Sequence, residues 1–185
     1  MSASLGASLA LYPVVAVAGG VSMRRFARVM LPPQLLALST SSSIAVLPAL
    51  VEAAEQQLDI EKKVSGFVLP LAASTFKPAA PVSWTVGTLF VAWFYGVTLH
   101  LPQLAIVAGA AVFLSFAGPG VPRGAFIMLA PLLTAVGLPA EGVGLLIAVD
   151  AIPDTCSTVL NVTGDMAAAA IVHRRMSEPR KSTNA

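Results

Sequence analysis

The stretch Asp150-Ala151-Ile152-Pro153-Asp154-Thr155-Cys156-Ser157-Thr158-Val159-Leu160-Asn161-Val162-Thr163-Gly164-Asp165 decides how this chain is read. At about 100° per residue, Asp150, Asp154, Ser157, Thr158, Asn161 and Asp165 share an arc of about 100°. The other faces carry Ala, Val, Leu and Ile, as does the rest of the segment from Gly142 to Arg174. A charge at the centre of a membrane helix costs on the order of several kcal/mol and is a functional candidate by default. Three carboxylates on one face need cations, donors or water. One alternative is that they pair with Lys77 and Arg123 and only hold a bundle together, but two cations cannot neutralise three carboxylates. Pro153 has no N–H, so the carbonyl of Val149 loses its helical partner. The resulting kink either opens carbonyls to a cation or serves packing alone.

Composition sets the surroundings of that face. Of 185 residues, 56% are hydrophobic and 11% charged, against about 25% charged in average soluble proteins. This excludes a disordered chain, a nucleic-acid-binding domain and an ordinary soluble enzyme. Cys156 is the one cysteine, which excludes an internal disulfide framework and a Cys-based zinc site. The net charge of +2 gives no argument for a polyanionic partner. What remains is an all-α, polytopic membrane protein in a lipid bilayer. A span needs about 20 apolar residues, so the length allows at most about six or seven crossings.

The basic residues lie in three clusters: Arg24, Arg25 and Arg28; Lys62 and Lys63; and Arg174, Arg175, Arg180 and Lys181. Lys77 and Arg123 stand alone in apolar surroundings. Basic clusters at membrane ends mark the cytoplasmic side. If all three are cytoplasmic, residues 1–22 cross once, and 29–51 must leave and return on the same side. The middle of that stretch is Ser39-Thr40-Ser41-Ser42-Ser43, flanked by Pro32-Pro33 and Pro48. Hydroxyl residues in a row are poor helix interior, because they compete for the backbone. The expectation is two helical halves meeting at a serine-rich tip, against the plainer alternative of one helix with a hydroxyl-rich face.

Residues 101–138 repeat the pattern around Gly118-Pro119-Gly120-Val121-Pro122-Arg123-Gly124. Interrupted apolar segments in corresponding places point to a transporter binding site. The expected organisation is transmembrane helices at 1–22, 64–98 and 142–173, re-entrant helical hairpins at 29–58 and 101–138, and a polar tail at 174–185. The C-terminus is then cytoplasmic and the membrane the plasma (inner) membrane.

Several of these stretches resemble, in order, the dicarboxylate/amino acid:cation symporter family, the glutamate-transporter homologues. Ser41-Ser42-Ser43 followed by Leu47-Pro48 is similar to the tip of that family's first hairpin. Leu69-Pro70-Leu71-Ala72 is similar to the start of its seventh helix. Gly120-Val121-Pro122 with Ile127-Met128-Leu129 is similar to the second hairpin. Asp150-Ala151-Ile152, Asp154, Thr158 and Asn161-Val162-Thr163-Gly164-Asp165 resemble its eighth helix. The resemblance covers about residues 28 to 173. It implies an elevator-type carrier whose small carboxylate or amino acid substrate lies between two hairpin tips and two helices. Ser41, Ser42, Ser43, Gly120 and Val121 would belong to those tips. Asp154 and Asn161 would bind the substrate's amino and carboxylate groups, and Thr158 would line the side-chain pocket. Asp165, with carbonyls including that of Asn161, would hold a sodium ion. Hard cations do want oxygen ligands.

Four departures qualify what the resemblance implies. Ser157 stands where the family usually has an arginine for a substrate side-chain carboxylate, so a small neutral substrate becomes plausible. Phe76-Lys77-Pro78-Ala79-Ala80 replaces the family's Asn-Met-Asp-Gly-Thr. The sodium-binding carboxylate and amide are gone, and the Lys77 ammonium could stand in for a cation. Coupling to sodium is then reduced or replaced by protons, and no other cofactor is expected. Arg123 replaces a glycine at the second tip, where it serves an anionic substrate or pairs with Asp150 or Asp154. Finally, the chain begins within what looks like the sixth helix. The scaffold half, which forms the family's homotrimer contact, is expected elsewhere.

The primary reading is a secondary symporter for a small amino acid or dicarboxylate, not an enzyme. The alternative is a truncated, non-transporting remnant. An intramembrane aspartyl hydrolase would need two carboxylates facing each other, whereas Asp150 and Asp154 point the same way from one helix.

Overall fold

The computed structural model of the chain describes residues 2–116, 126 and 128–177. Among them it is entirely helical. The elements are α1 (Ser2–Val14), continued by a π-helical turn Val15–Gly19, α2 (Met23–Thr40), α3 (Ser43–Gln57), α4 (Lys62–Thr75), α5 (Ala80–Phe94), α6 (Leu101–Ser115), α7 (Leu129–Ala135), α8 (Gly142–Val149) and α9 (Ala151–Ser177).

The breaks between helices follow from the residues that make them. Gly20, at φ 69°, ends the π-helical turn, and the Ser22 hydroxyl caps α2 by accepting from the Arg25 N–H at 3.4 Å. Ser41 ends α2 in the left-handed region, at φ 48°, with its N–H on the Ala37 carbonyl. Ser42 then starts α3, its hydroxyl accepting from the Ala45 N–H at 3.2 Å. The hydroxyl run therefore stops one helix and caps the next. The apolar run 64–98 is two helices rather than one, since Pro78 and Pro81 remove donors at the α4–α5 break. The last segment also breaks, at Asp150, and Pro153 lies in the first turn of α9, where its missing N–H costs nothing. At the start of α6 the His100 N–H donates to Gln103 Oε1 at 2.8 Å.

Two cores result. The first surrounds α9: Val159, Val162, Met166, Ala169 and Ala170 pack with Phe26, Met30, Leu50 and Leu69. The small side chains let neighbouring backbones approach; a Cβ at Gly19 would lie 3.3 Å from the Ala170 Cβ. The second is built from α5, α6, α7 and α8: Trp84, Val91, Val107, Leu129, Leu132, Leu133 and Leu146. Gly142 has no room for a side chain there, since a Cβ would lie 2.6 Å from the Val91 Cγ1.

Large apolar side chains also face outward, including Leu101, Phe113 and Trp93. This is the surface of a polytopic membrane protein. One described helix, Ile152–Ser177, is long and apolar enough to cross a membrane by itself; Gly6–Gly19 and Leu101–Ser115 are shorter.

The described residues of the three basic clusters lie at one end of the α9 core. Arg25 donates to the Gln57 carbonyl and pairs with Asp59 at 2.6 Å. The Glu61 N–H donates to His173 Nδ1, and Arg174 Nη1 donates to the Val17 carbonyl at 2.6 Å. The ends of α3 and α9 and the starts of α2 and α4 are thereby tied together.

Candidate functional site

The polar face of α9 meets both the serine tip and the α4–α5 break. Ser41 Oγ lies 3.0 Å from Thr155 Oγ1, joining the tip to the first turns of α9. Two residues further on, Ser157 Oγ lies 3.0 Å from Ser83 Oγ of α5. A further turn along, the Ala79 N–H donates to Asn161 Oδ1 at 3.1 Å. Ala79, which caps α5, and Ser83 of α5 thus meet positions 161 and 157 of α9, each pair one turn apart. Gly164 is where the break comes closest: a Cβ there would lie 3.2 Å from both the Phe76 ring and Pro78 Cγ.

The tip hydroxyls divide their work. Ser41 reaches α9 and Ser42 caps α3, while Ser43 is buried in the first turn of α3. Thr158 is buried too, and its hydroxyl donates to the Asp154 carbonyl of its own helix at 3.0 Å. Gly120, Val121 and Arg123 lie outside the described residues.

Asp165 is completely buried, and neither carboxylate oxygen has a hydrogen-bond partner among the described residues. Lys77 is buried at the α4–α5 break, and its ammonium donates to the Ala73 carbonyl. Lys77 and Asp165 form no direct ion pair. No group of three or more His, Cys, Asp and Glu side chains is gathered among the described residues. A cation at Asp165 would therefore rely on backbone carbonyls, and the Asn161 side-chain oxygen is already engaged.

Reading the sequence missed three contributors. Ser83 lies in an apolar helix, and only its one-turn spacing from Ala79 hinted at a shared face. Thr155 is adjacent to Asp154 but off the counted arc. Gln34 donates to Thr163 Oγ1 at 2.9 Å and to the Tyr12 hydroxyl at 3.1 Å, linking α1, α2 and α9 inside the bundle. A lone amide between Pro33 and Leu35 was its signal.

A family model described as the sodium:dicarboxylate symporter family matches residues 2–175. Neutral amino acid transporter A of Bos taurus is 35% identical over 149 residues, which are 80% of this chain and 28% of that protein. Excitatory amino acid transporter 3 of Mus musculus is 36% identical over 150 residues, 81% of this chain and 29% of that protein. Excitatory amino acid transporter 2 of Homo sapiens is 36% identical over 137 residues, 74% of this chain and 24% of that protein. These relatives are transporters, not enzymes. The chain spans less than a third of their length.

Proposed function

The chain belongs to the sodium:dicarboxylate symporter family, and on that premise we propose that it forms the substrate- and cation-binding part of a secondary symporter. The α2–α3 pair is a re-entrant hairpin with its tip at Ser41-Ser42, and residues 101–138 form the second. The substrate sits where those tips approach α9, its amino group on Asp154 and its carboxylate on Asn161. Transport follows an elevator movement against a scaffold, in a homotrimer. The cytoplasmic side is the end where the basic clusters meet, so the C-terminus is cytoplasmic in the plasma (inner) membrane. A cation, sodium or a proton, is co-transported, and Asp165 with the Asn161 backbone carbonyl forms a cation position. Its two buried oxygens accept no hydrogen bond among the described residues, so a positive charge is what they lack.

The Ser83–Ser157 hydroxyl pair carries the substrate class. It is neutral and small, and it lies one turn from Asp154 and Asn161. Two hydroxyls both donate and accept, so they suit a small polar or apolar side chain better than a second carboxylate. The relatives include proteins named for neutral and for excitatory amino acids, so both classes belong in the test. Thermal unfolding of the full chain in lipid nanodiscs, with L-serine or L-aspartate added, reports binding directly. L-Serine stabilises the wild type more than L-aspartate. Ser157→Arg shifts that preference toward L-aspartate by about tenfold or more, and Asp154→Asn removes both effects. Stabilisation by neither ligand would leave a helical remnant with no substrate site.

A further inference from the structure

The outward side of α2 joins charge and apolar surface in one line. At about 100° per residue, Arg24, Arg28, Leu31, Leu35 and Leu38 fall within an arc of about 80°. Phe26, Met30 and Ala37 take the opposite side and are buried in the first core. All five outward residues are exposed, the leucines by 56%, 55% and 46%. A continuous apolar stripe of this kind marks a membrane or protein contact.

The two outward arginines differ from Arg25 between them. Arg25 donates to the Gln57 carbonyl and pairs with Asp59 at 2.6 Å, so that carboxylate is engaged. Arg24 and Arg28 make no hydrogen bond or ion pair among the described residues. Two guanidiniums one turn apart therefore stand at the head of the stripe with no carboxylate to answer them.

The dimensions choose the occupant. From Arg28 to Leu38 the helix rises about 15 Å, half of the ~30 Å hydrocarbon core of a bilayer. The stripe ends where the hydroxyl run 39–43 begins, so it has the depth of one leaflet. A phospholipid matches it at both ends. Its phosphate lies at the level of the arginines, and an acyl chain lies along Leu31, Leu35 and Leu38. Guanidiniums bind phosphate oxygens through paired N–H donors, and their apolar stems cover the stripe while the heads reach the interface. A protein partner would have to bring acidic side chains to that same level.

We infer that the outward face of α2 binds an anionic phospholipid, with Arg24 and Arg28 on its phosphate, in the leaflet at the basic end of the bundle. The inference rests on the hairpin placement of α2 proposed above and is independent of the substrate. On α4, Lys63, Phe67 and Leu71 also follow at one-turn steps and are exposed. That face carries one ammonium, a point charge without the guanidinium fork, and it serves as the control.

The test is thermal unfolding of the full chain in nanodiscs of phosphatidylcholine, with and without phosphatidylglycerol. Phosphatidylglycerol should raise the wild-type Tm by about 5 °C. It should also stay with the protein after extraction into detergent, read by native mass spectrometry. Arg24→Gln combined with Arg28→Gln should remove both effects, and Arg24→Lys with Arg28→Lys should keep part of the shift. Lys62→Gln with Lys63→Gln removes the same charge and should keep most of it. Equal losses from the two glutamine pairs would mean a diffuse attraction of the whole basic end and would overturn the inference. So would a wild type indifferent to phosphatidylglycerol, which would leave the stripe to a protein partner. Inorganic phosphate reproducing the shift in phosphatidylcholine discs would mean a free anion and would overturn it too. If the double arginine variant does not fold, the wild-type comparison and Arg28→Gln alone still decide, the single variant losing about half of the shift. Stabilisation by L-serine, measured on the wild type, reports separately on the carrier reading.

Discussion

The two cores bury similar apolar side chains but differ in the polar ones beside them. Around α9, Phe26, Met30, Leu50 and Met166 share the interior with Thr163, Asp165 and Ser65. Thr163 is bonded through Gln34 to Tyr12, and the Ser65 hydroxyl donates to Glu55 at 2.7 Å. Around α5 to α8, the buried polar side chains among the described residues are Thr88, whose hydroxyl has no partner among them, and Ser115, whose hydroxyl donates to the Val112 carbonyl of its own helix. A buried polar group without a partner costs free energy, whereas a satisfied network specifies one arrangement. Polar burial is thus concentrated where α9 meets α2 and the α4–α5 break, which is where the tip and Ser157 contacts also lie. The second core is mainly a packing unit, and it joins the first through the junction that carries the proposed site.

The comparison is broken most severely by emptying a core. Leu50→Ala and Leu133→Ala each remove a fully buried side chain and should each cost about 3 kcal/mol in reversible unfolding. If the cores unfold as separate units, each variant lowers its own transition and leaves the other in place; one transition that loses the sum in the double variant would mean that they unfold as one. A smaller effect separates the polar groups. Thr163→Val removes an acceptor from Gln34 and should cost about 1–2 kcal/mol. The same change of chemistry at Thr88 should have the opposite sign. Thr88→Val replaces a hydroxyl that has no described partner and should be neutral or stabilising by up to about 1 kcal/mol. A clear loss at position 88 would show that this hydroxyl does serve a partner, and the contrast between the cores would fall.

Much of the fold was legible because its interruptions are made by residues with strong backbone preferences. The hydroxyl run at 39–43 announced a stop and a start, and Ser41 and Ser42 perform them. The run 64–98 reads in the sequence as one helix, and Pro78 and Pro81 divide it into α4 and α5. Pro153 announced the loss of a partner for Val149; the chain answers with a turn at Asp150 and a new helix instead of a kink within one. The site was less legible. Asp154, Ser157, Asn161 and Asp165 stand out by charge or spacing, but their partners do not. Ser83 stands between Val82 and Trp84, Thr155 lies off the counted arc beside Asp154, and nothing local distinguishes their hydroxyls from one bonded to its own helix, as that of Thr158 is. Pairing of Lys77 with a carboxylate was one of the readings open to the sequence. It turns back to the Ala73 carbonyl instead, a choice made by the helix end rather than by charge alone.

The central claim is that substrate binds where the serine tip meets α9. The most direct test is the rate of maleimide labelling of Ser41→Cys, on a Cys156→Ser background, in sealed membranes with and without L-serine. Ser41 lies 3.0 Å from Thr155 beside Asp154, so saturating L-serine should slow labelling there, and the protection should vanish with Asp154→Asn. Labelling that proceeds at the same rate with and without a ligand that stabilises the protein would place the substrate elsewhere and contradict the account.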